Sequence, residues 1–322
     1  MARLNSTGGN HMRVMLSLTF VLAALCTSVL AQTSPDRPLD GPTHIPSNDT
    51  NRILWGDETS GRVHDSRFAG SQKIMWQIWG MGPGEVFRHS DRFTTQFKVD
   101  GIYYVLSGTL VLNNPATGEV YYIKPGELAF LTRNSWNHGF SYGLEPLRVL
   151  EYLPRLPPVT GQSQYLGEGK LSQPKYVQDQ WLGRWPGALD EARRSAALKV
   201  VRESDILWRL EGEKQQVLVG IMASTDLITF GKIVLQPKQE TEVRIHGGDE
   251  GLYLQEGELH VRLPGQKLDN RGQTRWFDVK AGDGVYLPEG TPHQYYNPSD
   301  RMTTVIFGVA PAYLPRNNKA SH

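Results

Sequence analysis

The residues best equipped for chemistry stand in the last third of the chain, where His246, Glu250 and His293 offer two imidazoles and a carboxylate. Arg244 and His246 are two apart, so on one strand they face the same way. Gly247-Gly248 supplies a turn that can carry Glu250 back beside the first imidazole. His293 follows the turn Pro288-Glu-Gly290-Thr-Pro292, and on the strand it opens His293, Tyr295 and Asn297 share a face. Two imidazoles and one carboxylate, with several coordination positions left open, form the donor set of non-haem Fe(II) enzymes. Mn, Ni and Zn suit the same ligand types. The alternative is that His246 and His293 are plain polar groups lining the mouth of a β barrel.

Short strands must position them. The chain of 322 residues holds 33 Gly and 20 Pro, with 8 Trp, 13 Tyr and 10 Phe, a composition of many turns and broad aromatic cores. Alternating or apolar runs recur at Ile74 to Trp79, Ile102 to Leu112, Val120 to Ile123, Leu227 to Leu235, His260 to Leu263 and Thr303 to Val309. Asn114 to Gly118 and Leu268 to Gly272 read as hairpin loops. After residue 50 the sequence nearly repeats itself at a distance of about 150 residues. Ile53-Leu54-Trp55 returns as Ile206-Leu207-Trp208. Tyr104 to Leu110 (YVLSGTL) returns as Tyr253 to Leu259 (YLQEGEL). Lys124 to Leu131 (KPGELAFL) returns as Lys280 to Leu287 (KAGDGVYL). Three matches in one order mark a tandem duplication.

Gly282-Asp-Gly-Val-Tyr-Leu-Pro288-Glu-Gly290-Thr-Pro-His293-Gln-Tyr-Tyr-Asn297 resembles the second motif of the cupin superfamily, G-x5-P-x-G-x2-H-x3-N, at every defined position. His246-Gly-Gly-Asp-Glu250 through Gly257 is similar to the end of the first motif, H-x3-E-x6-G. The family has a further histidine two residues earlier, where this chain has Arg244. The resemblance implies an all-β chain of two tandem cupin barrels (double-stranded β-helix or jelly roll), with a structured linker. It also implies that His246, Glu250 and His293 hold one divalent metal inside the second barrel, with Fe(II) favoured and Mn, Ni or Zn as alternatives. Arg244 would bind an anionic group on the substrate beside the ion, or else pair with Glu250 in a site that has lost its metal. Tyr295 and Asn297 would hydrogen-bond within the pocket.

Aligning Gly108 with Gly257 places Thr95, Phe97 and Gly101 where Arg244, His246 and Glu250 stand, and Asn137, with His138 beside it, where His293 stands. The first copy is therefore expected to be structural, or to form an apolar pocket of Phe97, Trp136 and Phe140. His89 is expected at the surface or rim, and Trp76 and Trp79 in core packing on opposite faces of their strand.

The expected organisation is a signal peptide over 1–31, a flexible leader over 32–50, a first barrel over 51–156, a linker with a short helix over 157–200, a second barrel over 201–315 and a tail over 316–322. Arg13, the uncharged run Val14 to Ala31 and the small-residue site Val29-Leu30-Ala31 give the export signal. Cys26 lies inside it, so the mature chain would have neither disulfide nor thiol nucleophile. Charges nearly cancel, with 34 Lys and Arg against 33 Asp and Glu, and no basic stripe is visible, so no nucleic-acid partner is expected. The expectation is a secreted or periplasmic bicupin with no stable membrane insertion once the signal is cleaved, a homo-oligomer being compatible. It would be a metal-dependent oxidoreductase of the dioxygenase type, or a lyase or isomerase, acting on a small acidic organic substrate. The alternative is a non-catalytic protein that binds a sugar or an organic acid.

Overall fold

The computed structural model describes residues 39–269 and 271–315. The expected signal peptide, the start of the leader and the tail lie outside these residues. The first half runs β1 (Thr43–Ile45), β2 (Asn51–Asp57), β3 (Gly61–Gly70), β4 (Ile74–Met81), β5 (Val86–Phe87), β6 (Gly101–Ser107), β7 (Thr109–Asn114), β8 (Glu119–Ile123), β9 (Leu128–Leu131), β10 (His138–Tyr142) and β11 (Leu147–Pro154). Helix α1 (Leu189–Ser195) and β12 (Leu198–Val201) lie between the repeats. The second half runs β13 (Leu207–Glu211), β14 (Val217–Ser224), β15 (Thr229–Leu235), β16 (Asp249–Glu256), β17 (Glu258–Lys267), β18 (Thr274–Lys280), β19 (Gly284–Leu287), β20 (Gln294–Tyr296) and β21 (Thr303–Ala310). The two hairpins expected from their loops form as β7–β8 and β17–β18.

Each repeat closes as a large antiparallel sheet against a small one. Barrel one joins the order β12-β9-β6-β11-β4-β3-β2 to β5-β10-β7-β8, and barrel two joins β1-β19-β16-β21-β15-β14-β13 to β18-β17-β20. The matched glycines Gly108 and Gly257 both turn their chains at positive φ, 69° and 89°, a conformation that glycine alone adopts without strain. The chain is all-β and its architecture is a pair of jelly-roll barrels.

The barrels trade edge strands. Thr43–Ile45, within the stretch that composition marks as a flexible leader, pairs with β19 of barrel two. Leu198–Val201, at the end of the linker, pairs with β9 of barrel one. Neither pairing is local, so neither is announced by composition; Ile45 is drawn in because it is fully buried in the core between the barrels. The linker helix is confined to Leu189–Ser195, because by Leu198 the chain has become a strand.

The large sheets pack back to back. Phe68, Trp76 and Tyr152 of barrel one stack in sequence, Phe68 on Trp76 at 6.3 Å and Trp76 on Tyr152 at 6.4 Å. They sit on three glycines of barrel two. A Cβ on Gly284, Gly251 or Gly308 would come within 2.7 Å of Phe68, 2.7 Å of Trp76 or 2.4 Å of Tyr152, closer than any real contact. The Tyr152 hydroxyl also donates to the Gly251 carbonyl at 3.0 Å. Gly251 follows Glu250 directly, so this junction fixes the strand that carries the carboxylate. Trp76 and Trp79 do face opposite ways, the first into the junction and the second into barrel one.

Candidate metal centre

Inside barrel two the three expected donors converge. His246, Glu250 and His293 are all buried, and one ligand atom from each lies within 4.8 Å of the others. Glu250 opens β16, and its Oε2 is 3.7 Å from His246 Nε2 and 3.3 Å from His293 Nε2. A shared ion at roughly 2.1 Å from each donor spans separations of about 3 to 4 Å, so the set needs only small adjustment to close on one ion.

The outer nitrogens fix which atoms face inward. His246 Nδ1 donates to the Tyr313 carbonyl at 2.6 Å, and His293 Nδ1 donates to the Thr291 carbonyl at 2.9 Å. Carbonyls only accept, so in neutral rings both Nε2 atoms carry lone pairs, aimed at a carboxylate. His246 Nε2, His293 Nε2 and Glu250 Oε1 are buried without hydrogen-bond partners. Two imidazole lone pairs facing a buried carboxylate cost roughly 1–3 kcal/mol each unless a cation joins them. The donor set therefore fits a divalent metal. Burial first, then the neighbouring His246 and Arg244, depress the His293 pKa to about 4 against the opposing pull of Glu250, so this ring stays neutral and ready to ligate.

The remaining expected site residues are placed differently. Tyr295 is fully buried and its hydroxyl donates to Glu250 Oε2 at 2.8 Å, so it orients the carboxylate instead of reaching toward a substrate. Asn297 stands apart: its amide donates to the Leu235, Gln236 and Arg301 carbonyls and accepts from Ser299, locking the loop before β21. The motif's asparagine is thus a loop clamp here, because β20 has ended by that point. Arg244 neither binds Glu250 nor waits as a free anion receptor. Its Nη1 pairs with Glu211 Oε2 at 2.9 Å, and its Nη2 donates to the Tyr313 hydroxyl.

Glu211 and Tyr313 were invisible to spacing arguments. Glu211 ends the edge strand β13, and Tyr313 lies beyond the last strand, so only closure of the barrel brings them to Arg244. The Tyr313 hydroxyl donates to both Glu211 oxygens at 3.0 Å, and its ring lies 4.7 Å from that of His246.

Barrel one has no such cluster among the described residues. The Phe97 ring lies 3.3 Å from where a Gly101 side chain would begin, filling the carboxylate's position with hydrocarbon. Asn137 accepts from the Tyr103 hydroxyl at 3.2 Å and donates to the Thr95 carbonyl at 2.7 Å. Of the expected pocket, Phe97 and Trp136 are buried, whereas Phe140 points out of the barrel beside Tyr142. His89 is not a bare rim residue; its Nδ1 meets His138 Nε2 at 2.9 Å and its ring lies edge-on to Trp136.

Comparison with known proteins agrees with this architecture. Residues 231–309 match the model of the cupin domain. No curated protein matches the chain. A mutant of oxalate decarboxylase from Bacillus subtilis superposes at a TM-score of 0.54 with 14% identity, covering 86% of this chain and 80% of that one. A putative glyoxylate-induced protein from Pseudomonas aeruginosa superposes at 0.58 with 15% identity, covering 90% and 95%. A further structure of the Bacillus subtilis decarboxylase, described for its Mn(II) centers, superposes at 0.50 with 15% identity, covering 85% and 78%. Such identities establish the fold alone. Residues 231–309 thus carry a cupin domain, and the doubled barrel shares the fold of these structures.

Proposed function

We propose that this protein is an exported bicupin enzyme that works through one divalent metal held by His246, Glu250 and His293 in barrel two. The reading is carried by two buried, partnerless imidazole nitrogens that both face the buried carboxylate of Glu250. When bound, the metal supplies Lewis-acid polarisation of a substrate oxygen or the redox chemistry of an oxygenase. Tyr295 fixes the carboxylate and the Tyr313 and Thr291 carbonyls fix the two imidazoles, so the chain presents a rigid ligand set. Fe(II) and Mn(II) both suit the set, the latter being the ion named for the decarboxylase neighbour. The substrate is a small organic molecule with oxygen donors, and the reaction is an oxygenation, or a lyase or isomerase step. Export rests on the N-terminal apolar run; among the described residues no helix is long and apolar enough to cross a membrane.

Elemental analysis of the purified chain tests the reading. One ion per chain in wild type, lost in both His246→Ala and His293→Ala, is the expected result, and a metal-free wild type after reconstitution with Fe(II) or Mn(II) overturns it. Oxygen consumption then separates an oxygenase from a lyase. The competing reading, a binding protein without turnover, draws on barrel one, whose interior keeps the fold without the ligands; stabilisation by sugars or acids that is indifferent to a chelator would favour it.

A further inference from the structure

The core of barrel two contains 18 buried apolar residues, and 17 of them stand on its strands. The exception is Tyr313. The last ladder pair joins Ala310 to Asp249, and Tyr313 follows on a segment outside any strand, between buried Ala310 and exposed Leu314. It is therefore the one member of this core that can leave without breaking a strand pair. Its ring stacks on Phe307 at 5.5 Å and covers His246, while its hydroxyl sits between a guanidinium and a carboxylate, accepting from Arg244 and donating to Glu211. The metal ligands behind it are nearly inaccessible, His246 at 6% exposure and Glu250 and His293 at 1%.

We propose that Tyr313 is a built-in occupant of the substrate's place: its side chain must swing out, the backbone carbonyl staying on His246, before a ligand reaches the metal-binding residues, and the Arg244–Glu211 seat it vacates selects a hydroxyl group over a carboxylate. This rests on the functional reading above, whose site it refines. The selectivity follows from charge. Arg244 by itself would favour a carboxylate, but Glu211 at 2.9 Å already meets its charge and would repel a second anion. A hydroxyl satisfies both neighbours, accepting from one and donating to the other, as the phenol does. The ligand class is thus a neutral aromatic or aliphatic alcohol whose hydroxyl takes the phenol's position. This replaces the acidic substrate that Arg244 alone suggests.

The test needs no metal. The full chain, metal-free, is treated with diethyl pyrocarbonate, and carbethoxylation of His293 is followed by peptide mass spectrometry. Tyr313→Ala is expected to raise that rate by about tenfold or more over wild type, with Tyr313→Phe between them because it keeps the ring and loses only the hydroxyl's bonds. Phenol added to Tyr313→Ala should slow labelling back toward the wild-type rate, and benzoate should not. Equal rates in wild type and both variants would remove the gate, and protection by benzoate as strong as by phenol would remove the selectivity. Should Tyr313→Ala fail to fold, Tyr313→Phe carries the rate comparison, with phenol and benzoate protection read on it in the same way. Because the readout is independent of metal, an empty elemental analysis would end the proposed function and leave this result to be judged separately.

Discussion

Barrel one and barrel two are one fold with opposite interiors. Cross-strand registers place Arg67, Gln77, Glu151 and Tyr103 side by side across β3, β4, β11 and β6, all facing into barrel one. The corresponding rung of barrel two is Ile221, Gly231, Phe307 and Leu252. Part of the polar rung is linked, Arg67 Nε donating to Gln77 at 3.0 Å and Gln77 donating to Glu151 at 2.6 Å, while Tyr103 separately donates to Asn137. Barrel one therefore places its buried charge in the floor and satisfies it internally. Barrel two has an apolar floor and gathers its unsatisfied groups at the mouth. A self-contained polar network specifies a structure, whereas partnerless donors wait for something to bind. Duplication supplied two identical frames, and the difference lies in where each leaves its polar groups unfinished.

The sharpest way to break this contrast is at the donors. His293→Ala should weaken metal binding by more than about 100-fold, since even residues that merely orient ligands cost 10–100-fold. Asn137→Ala, at the equivalent place in barrel one, should leave the metal content of the chain unchanged when both are analysed for bound ion. Next in size is the floor. Arg67→Met leaves the buried Gln77 carbonyl without its donor and should destabilise the chain by about 1–3 kcal/mol in chemical denaturation. A polar group is not required at the matching position of barrel two, where Ile221→Leu should cost less than about 1.5 kcal/mol.

Titration gives the third contrast. Burial raises Asp65 to about 7 and Glu151 to about 8, so the folded chain keeps protons that the unfolded chain releases above about pH 4. Their contribution to stability is complete below that point and is lost as pH climbs toward 8, at no more than roughly 1.4 kcal/mol per pH unit for each group. His293 works in the other direction. Its folded pKa of about 4 lies below the ordinary value, so in the metal-free chain its contribution is present above about pH 6.5 and lost as pH falls toward 4. His138, lowered to about 4 chiefly by burial, adds to the same acid limb from barrel one. Denaturant midpoints measured from pH 4 to 9 should flatten on the alkaline side in Glu151→Gln and on the acid side in His293→Gln. The smallest expected effect is at the junction. Tyr152→Phe loses one hydrogen bond to the strand bearing Glu250 and should cost about 1 kcal/mol.

Much of this was fixed by residue order alone. The strand periods, the hairpin loops, the repeat and the two motifs define two jelly rolls, because alternation and turn chemistry are local and are written in consecutive residues. The candidate ligands were legible for the same reason, His246 and Glu250 being four residues apart and His293 tied to a turn of known form. What only the tertiary structure decided was everything held between distant segments: the exchange of β1 and β12, the glycine seat under Trp76, the floor rung of barrel one, and the pairing of Arg244 with Glu211 and Tyr313. Those contacts span up to about 100 residues of chain for the arginine's partners, about 70 for β12 and about 240 for β1, so no spacing rule links them. Sequence could name the arginine beside the site; only closure of the barrel could say that its charge is already answered.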